Sequence, residues 1–363
     1  MSEYILAEQS IPSNHNIIFL CGVVYKKKAN DKRSVLKKFL KTISDKNYAI
    51  ILEENFSFGN NQDYLSYDDI FLKDLTDIEN LTGIFADCVT IIHESQSTAS
   101  ELGMFATNDM LHGKICIMIP NVDSVEEDKI SSFLRLAYFR KDSHIKCLTF
   151  YPEIVVQRTS MNKSDYHTYF VNNAIGMNLA KAILEVLRET SSSITNVSIN
   201  KVQFHNLDLS HQNVISYFVD DTLHAHVYIP ARVVKIHIIA FFNSEDYKTE
   251  MRKAKELKDH VTYIENMYID IIKNTLKERA EKFTNIFIEH IRINNKGSII
   301  EFRCVIAYTL YLLQAMGMIN LISSGTDQRK RKVQINTSFE KIYTNYSGFL
   351  IKNEVSKFGR MFK

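Results

Sequence analysis

The stretch Cys88-Val89-Thr90-Ile91-Ile92-His93-Glu94-Ser95-Gln96-Ser97-Thr98-Ala99-Ser100-Glu101-Leu102-Gly103 reads as strand, polar turn, helix. Cys88 to Ile92 is a short β-branched run of the kind a buried parallel strand needs. Glu94 to Thr98 is small and polar, and Glu101 then opens an apolar helix through Leu102, Phe105 and Leu111. The turn is expected at the carboxyl end of a strand, where open α/β sheets bind their ligands. Glu101 is expected in the first turn of the helix, whose backbone N–H groups face the same crevice. Thr98-x-x-Glu101 also fits a capping box, in which the glutamate side chain bonds back to the cap N–H. The residues alone leave both roles open.

Outward from this stretch, strands and helices alternate. Ile17 to Leu20 is a first strand, ended by Cys21-Gly22. Gly22 permits a close approach that a side chain would block. The run Lys26-Lys27-Lys28 follows, and then Val35, Leu36, Phe39, Leu40 and Ile43 recur at helical spacing. Ala49 to Leu52 is a second strand, and Gly59-Asn60-Asn61 marks a loop. Ile70, Leu72, Leu75, Ile78 and Leu81 form an apolar helix face, with Glu79 just off it at the helix's end. Asp87 sits where a strand start needs fixing. Further strands are expected at Ile115–Ile119 and Ile145–Tyr151, with helices at Ile130–Phe139 and Ala174–Leu187. This alternation predicts a flavodoxin- or Rossmann-like parallel sheet of five strands, covered by helices on both faces, in the order 2-1-3-4-5.

The polar break Thr190-Ser191-Ser192-Ser193 suggests three regions. Residues 1–190 form the nucleotide-type domain. Residues 191–245 form a β-rich connecting or partner-contact segment, with strand-like runs at Leu223–Ile229 and Val233–Phe242. Residues 246–363 form a mainly helical, winged-helix-like domain. In this last region a long apolar helical run from Ile299 to Ile319 precedes a hairpin that carries Arg329, Lys330, Arg331 and Lys332. From residue 246 onward there are 21 Lys and Arg against 13 Asp and Glu, whereas residues 1–245 hold 23 against 29. A basic half in a chain of net charge +2 points to a polyanion partner. The four basic residues are therefore nucleic-acid-binding candidates; the alternative is a charged edge kept soluble.

Composition excludes several classes. No apolar run approaches the length of a membrane span, and no signal peptide is evident, so a cytoplasmic protein is expected. The five cysteines are widely spaced and read as reduced, buried thiols. The twelve histidines show no zinc spacing, and His224-Ala225-His226 reads as structural. No phosphate-binding P-loop or Gly-x-Gly-x-x-Gly occurs, so P-loop chemistry is unsupported.

Several segments together resemble the nucleoside 2-deoxyribosyltransferase-like superfamily. They are Phe19-Leu20-Cys21-Gly22, Ile78-Glu79, Ala86-Asp87 and Glu94-Ser95-Gln96-Ser97-Thr98-Ala99-Ser100-Glu101-Leu102-Gly103-Met104-Phe105-Ala106. The combination is most similar to one branch, the effector proteins of retron anti-phage systems, over about residues 15–190. The resemblance implies N-glycosidic cleavage of a nucleotide or NAD, with Glu101 of Glu-Leu-Gly as nucleophile. Glu79 is the candidate acid/base partner; the family places a base-contacting aspartate near this helix, where this chain has Glu79 or Asn80. Retaining glycosidases use such carboxyl pairs, and the chemistry implied requires no metal or organic cofactor. Cys21, Gly22, Glu94, Ser95 and Ser97 are the candidate substrate contacts. The resemblance further implies a toxic effector restrained by a retron reverse transcriptase and its RNA–DNA product, within a homo-oligomer or larger assembly. The alternative is a nucleotide-sensing, DNA-binding regulator without catalysis.

Overall fold

A computed structural model describes residues 4–23, 31–55, 74–120, 144–152, 168–171, 173–192, 194–203, 213–251, 253, 256–294, 297–324 and 327–352. The expected features at Lys26–Lys28, Gly59–Asn61, Ile70, Leu72 and Ile130–Phe139 lie outside these residues. The chain divides into two compact units. One comprises residues 13–64 and 78–193 and is called here the parallel-sheet unit. The other comprises residues 1–12, 65–77 and 194–363 and is called the mixed-sheet unit.

In chain order, β1 (Tyr4–Leu6) and β2 (Gln9–Pro12) come first. The parallel-sheet unit follows: β3 (Asn16–Cys21), α1 (Lys32–Ile43), β4 (Asn47–Ile50), α2 (Leu52–Asn55), α3 (Leu75–Phe85), β5 (Cys88–Ile92), α4 (Gln96–Ala106), β6 (Ile115–Pro120) and β7 (Lys146–Phe150). A short ladder of β8 (Phe170–Val171) and β9 (Ala174–Ile175) leads into α5 (Met177–Thr190). The five main strands lie in the order β4-β3-β5-β6-β7, all neighbours parallel. This is the 2-1-3-4-5 order expected from the alternation.

Both faces of this sheet are buried, which is why its strands read as continuous apolar runs. On one face Ile18, Leu20, Cys88, Ile92, Cys116 and Met118 pack with Leu36 and Leu40 of α1 and Leu179 and Ile183 of α5. On the other, Phe19 meets Phe105 of α4 edge to face, with ring centroids 6.0 Å apart. Asp87 locks the register between β3 and β5: its Oδ2 accepts the Ile17 N–H at 2.9 Å, and its own N–H donates to the Ile17 carbonyl at 2.8 Å. Asp87 is thus a strand-fixing residue.

The mixed-sheet unit contains β10 (Ile194–Lys201), β11 (Val214–Val219), β12 (His224–Tyr228), α6 (Ala231–Phe241), α7 (Glu245–Met251), α8 (Leu257–Glu278) and β13 (Asn285–Ile288). After these come β14 (Ile291–Arg292), β15 (Ile299–Ile300), α9 (Phe302–Ala315), the hairpin β16 (Ile319–Ser324) and β17 (Asp327–Ile335), α10 (Glu340–Ser347) and β18 (Leu350–Lys352). Its main sheet has the order β13-β12-β11-β10-β2, with parallel and antiparallel neighbours. The N-terminus belongs here: Pro12 pairs with Ile194, and Tyr4 of β1 pairs with Lys352 of β18.

Three expectations are corrected. The first region does not begin at residue 1, because β1 and β2 are strands of the mixed-sheet unit. Residues 191–245 are not a connector, since β10, β11 and β12 are central strands of that unit's sheet. Val233–Phe242 is helical, not a strand. Every residue from Val233 to Phe241 is buried, so no polar face marks the 3.6-residue period, and the β-branched run imitates a strand.

Candidate active site

The sheet order reverses between β3 and β5, and in open α/β sheets ligands bind outside the carboxyl ends of strands at such a switch point. Cys21 closes β3, and Glu94 and Ser95 follow β5. Ser95 is the N-cap of α4, and Thr98 closes a capping box with it: the Ser95 N–H donates to the Thr98 hydroxyl at 3.3 Å. Thr98 is fully buried, its hydroxyl also donates to the Ser95 carbonyl at 2.6 Å, and His93 Nδ1 lies 3.0 Å from it. The helix therefore begins a turn earlier than expected. Thr98 is not the cap, and Glu101 is neither a capping residue nor in the first turn; it stands in the second.

The Glu101 Oε2 is buried and has no hydrogen-bond partner among the described residues. Burial above all, then the charges of Glu79 and Glu53, push its carboxyl up to about 8, against a smaller downward pull from Arg33. Glu79 lies within α3 rather than at its end. Burial, reinforced by Glu53, pushes Glu79 up to about 7. The neighbouring Asn80 is occupied structurally, accepting from the Asn108 amide at 2.9 Å. Glu79 is the first of the two to ionise, and the proton that remains near neutral pH rests on Glu101, so attack by Glu101 requires that this proton first be passed on.

Sequence reasoning passed over Arg33 and Glu53. Asp31 caps α1 by accepting the Arg33 N–H at 2.8 Å, and its carboxylate also takes the guanidinium at 2.9 and 3.1 Å. Arg33 Nη1 donates to both oxygens of Glu53, at 2.9 and 3.1 Å. The Arg33 side chain is 2% exposed. Its stem explains Gly22: a Cβ there would meet Arg33 Cδ at 2.9 Å. Gly22 thus makes room for the arginine stem. The signals were present, in the cap-type Asp31 two residues before a helical arginine and in Glu53-Glu54 directly after a strand.

The remaining candidates fall around this centre. The Cys21 thiol is fully buried, and burial together with Glu101 raises it well above its ordinary value, so it is a protonated wall and not a nucleophile. Glu94 forms an ion pair with Lys32 of α1. The Ser95 and Ser97 hydroxyls lie 2.7 Å apart at the N-terminus of α4. Arg329, Lys330, Arg331 and Lys332 belong to the other unit and lie within strand β17, not at the hairpin's turn. Among the described residues no group of three or more His, Cys, Asp or Glu is placed to hold a metal, and no helix is long and apolar enough to cross a membrane.

A family model described as the STM3845 retron effector protein matches residues 29–352, a span that begins after β3 and covers most of both units. The chain belongs to this retron effector family. Its role accordingly lies in retron-associated defence. No curated protein matches the chain. Within the parallel-sheet unit, Glu101 and Glu79 are carboxyls held well above their ordinary range, which makes this end of the sheet the candidate site.

Proposed function

We propose that this retron effector is an N-glycosidase, with Glu101 as nucleophile and Glu79 as acid/base, acting on a nucleotide or NAD. The observation that carries this reading is the buried, unpartnered Oε2 of Glu101 beside a second carboxyl that resists ionisation. A buried carboxylate oxygen without a donor is costly for folding alone, which suits a group kept for chemistry.

In the proposed reaction a Glu101 oxygen bonds to the sugar C1′ as the C1′–N bond breaks, and the bonding pair leaves with the base. A neutral base takes a proton from Glu79 as it departs; nicotinamide, cationic while attached to ribose, leaves neutral without one. Glu79 in its ionised form, produced by that transfer for a neutral base and present from the start for nicotinamide, then takes a proton from water as the hydroxyl adds to C1′ and the Glu101 carboxylate is released. A cationic substrate also favours the ionised form of Glu101, opposing the burial that holds it protonated.

The retron reverse transcriptase and its RNA–DNA product are the proposed restraint on this activity, with the basic strand β17 as their contact. The test is base release from NAD and from a purine nucleotide, followed by mass spectrometry. Glu101→Gln is expected to lower release by orders of magnitude on both substrates. Glu79→Gln is expected to slow the purine nucleotide more than NAD, since only the purine needs a proton to leave. Binding of either nucleotide with no base release by the wild-type protein would return the crevice to a sensing role.

A further inference from the structure

Resting on the glycosidase reading, we propose that Glu53 is a specificity residue that accepts hydrogen bonds from ribose hydroxyls, so that the crevice selects ribosyl over 2′-deoxyribosyl substrates.

The first ground is position. Glu53 follows β4, the strand beside β3, three residues past its end. In dinucleotide-binding sheets that carry the Gly-rich fingerprint an acidic residue in this region holds ribose hydroxyls; this chain lacks the fingerprint but has the acidic residue at the same place in the sheet. The second ground is orientation. Arg33 grips both oxygens of Glu53, at 2.9 and 3.1 Å, and is itself immobilised by Asp31 and by its packing on Gly22. A carboxylate so held has little rotamer freedom left to lose when a ligand binds. The third ground is unused capacity. An ionised carboxylate offers about four acceptor positions, and Arg33 fills two. The Glu53 side chain is 33% exposed, whereas the other carboxylate on Arg33, Asp31, is 10% exposed. Glu53 therefore has acceptor positions that solvent or a ligand can reach.

The chemistry then selects the ligand group. An ionised carboxylate donates nothing and repels phosphate, so it takes donors. In a nucleotide the sugar hydroxyls are donors close to C1′, the atom that Glu101 is proposed to attack. The field of Glu53 reaches both Glu79 and Glu101, as the displaced ionisation of each records.

The test is calorimetric binding of adenosine monophosphate and of its 2′-deoxy analogue to the full chain carrying Glu101→Gln, where no turnover intervenes. A hydrogen bond to a charged group is worth roughly 10- to 100-fold in affinity, and the ribonucleotide is expected to bind tighter by that ratio. Adding Glu53→Gln is expected to bring the ratio close to one, with a circular-dichroism melt confirming the fold; should that variant not fold, the ratio measured with Glu53 intact decides. Equal affinity for the two nucleotides, or no binding of either at millimolar concentration, overturns the proposal. Equal rates of base release from ribosyl and deoxyribosyl substrates overturn it too, but leave the glycosidase standing. Discriminating binding without base release would instead reject the glycosidase and leave Glu53 as a ribose contact.

Discussion

The backbone N–H of Ser95 is taken by the Thr98 hydroxyl at 3.3 Å, so the start of α4 is capped without any help from Glu101. The two residues should therefore respond oppositely to substitution. Thr98→Ala removes a cap partner and is expected to cost about 0.5–2 kcal/mol. Glu101→Gln is expected to leave the folded state as stable as wild type or more so at pH 8, since it relieves a buried, poorly solvated carboxyl. Denaturant unfolding of both variants checks this; a marked loss of stability in Glu101→Gln would restore its capping role.

The same carboxyls make stability fall with rising pH. Glu79 and Glu101 have folded values near 7 and 8, above the ordinary 4.5. Below about 4.5 both are protonated in either state, and their contribution is fully present. As pH rises from there to about 8, the unfolded chain releases protons that the folded chain still holds, so this contribution is progressively lost. Calorimetric melts between pH 5 and 9 are expected to show a steeper decline for wild type than for the Glu79→Gln, Glu101→Gln double variant. Parallel curves would mean that neither carboxyl is displaced.

Gly22→Ala is expected to destabilise the parallel-sheet unit by about 1–3 kcal/mol, as overpacking does. The added methyl would sit 2.9 Å from Arg33 Cδ, and Arg33 cannot swing away without leaving Asp31 and Glu53. Thermal melts check the loss, and an unchanged midpoint would show that Arg33 is free to move.

Replacing Arg329, Lys330, Arg331 and Lys332 together by Ala is expected to weaken nucleic-acid binding and flatten its salt dependence. Each lost phosphate contact removes about 0.9 from the slope of log affinity against log salt on a duplex. The basic run lies along the hairpin's second strand. Titrations at several salt concentrations decide; an unchanged slope would remove β17 from the interface.

Much of the parallel-sheet unit was legible because local pattern and tertiary role agree there. Short β-branched runs alternate with amphipathic helices, and the polar turn after β5 announces the crevice. The misplaced cap has a local cause: Ser95 and Thr98 are both cap-type residues three apart, and the pattern does not choose between them. The Arg33–Glu53 grip was hidden because it depends on α1 and α2, on either side of β4 in sequence, meeting in space. β1 and β2 were hidden for a similar reason. Each is a few residues long, and their partners are β18 and β10, at the far end and in the second half of the chain.

That long reach orders the making of the protein. Every strand of the parallel sheet is complete once Phe150 has been synthesised, whereas β2 waits for Ile194 and β1 waits for Leu350. During translation from the N-terminus, the unit bearing Glu101 has all its parts on the nascent chain well before the mixed-sheet unit does. The ribosome thus supplies the parallel sheet first, and the carrier of the basic strand is closed only once Leu350 to Lys352 have been made.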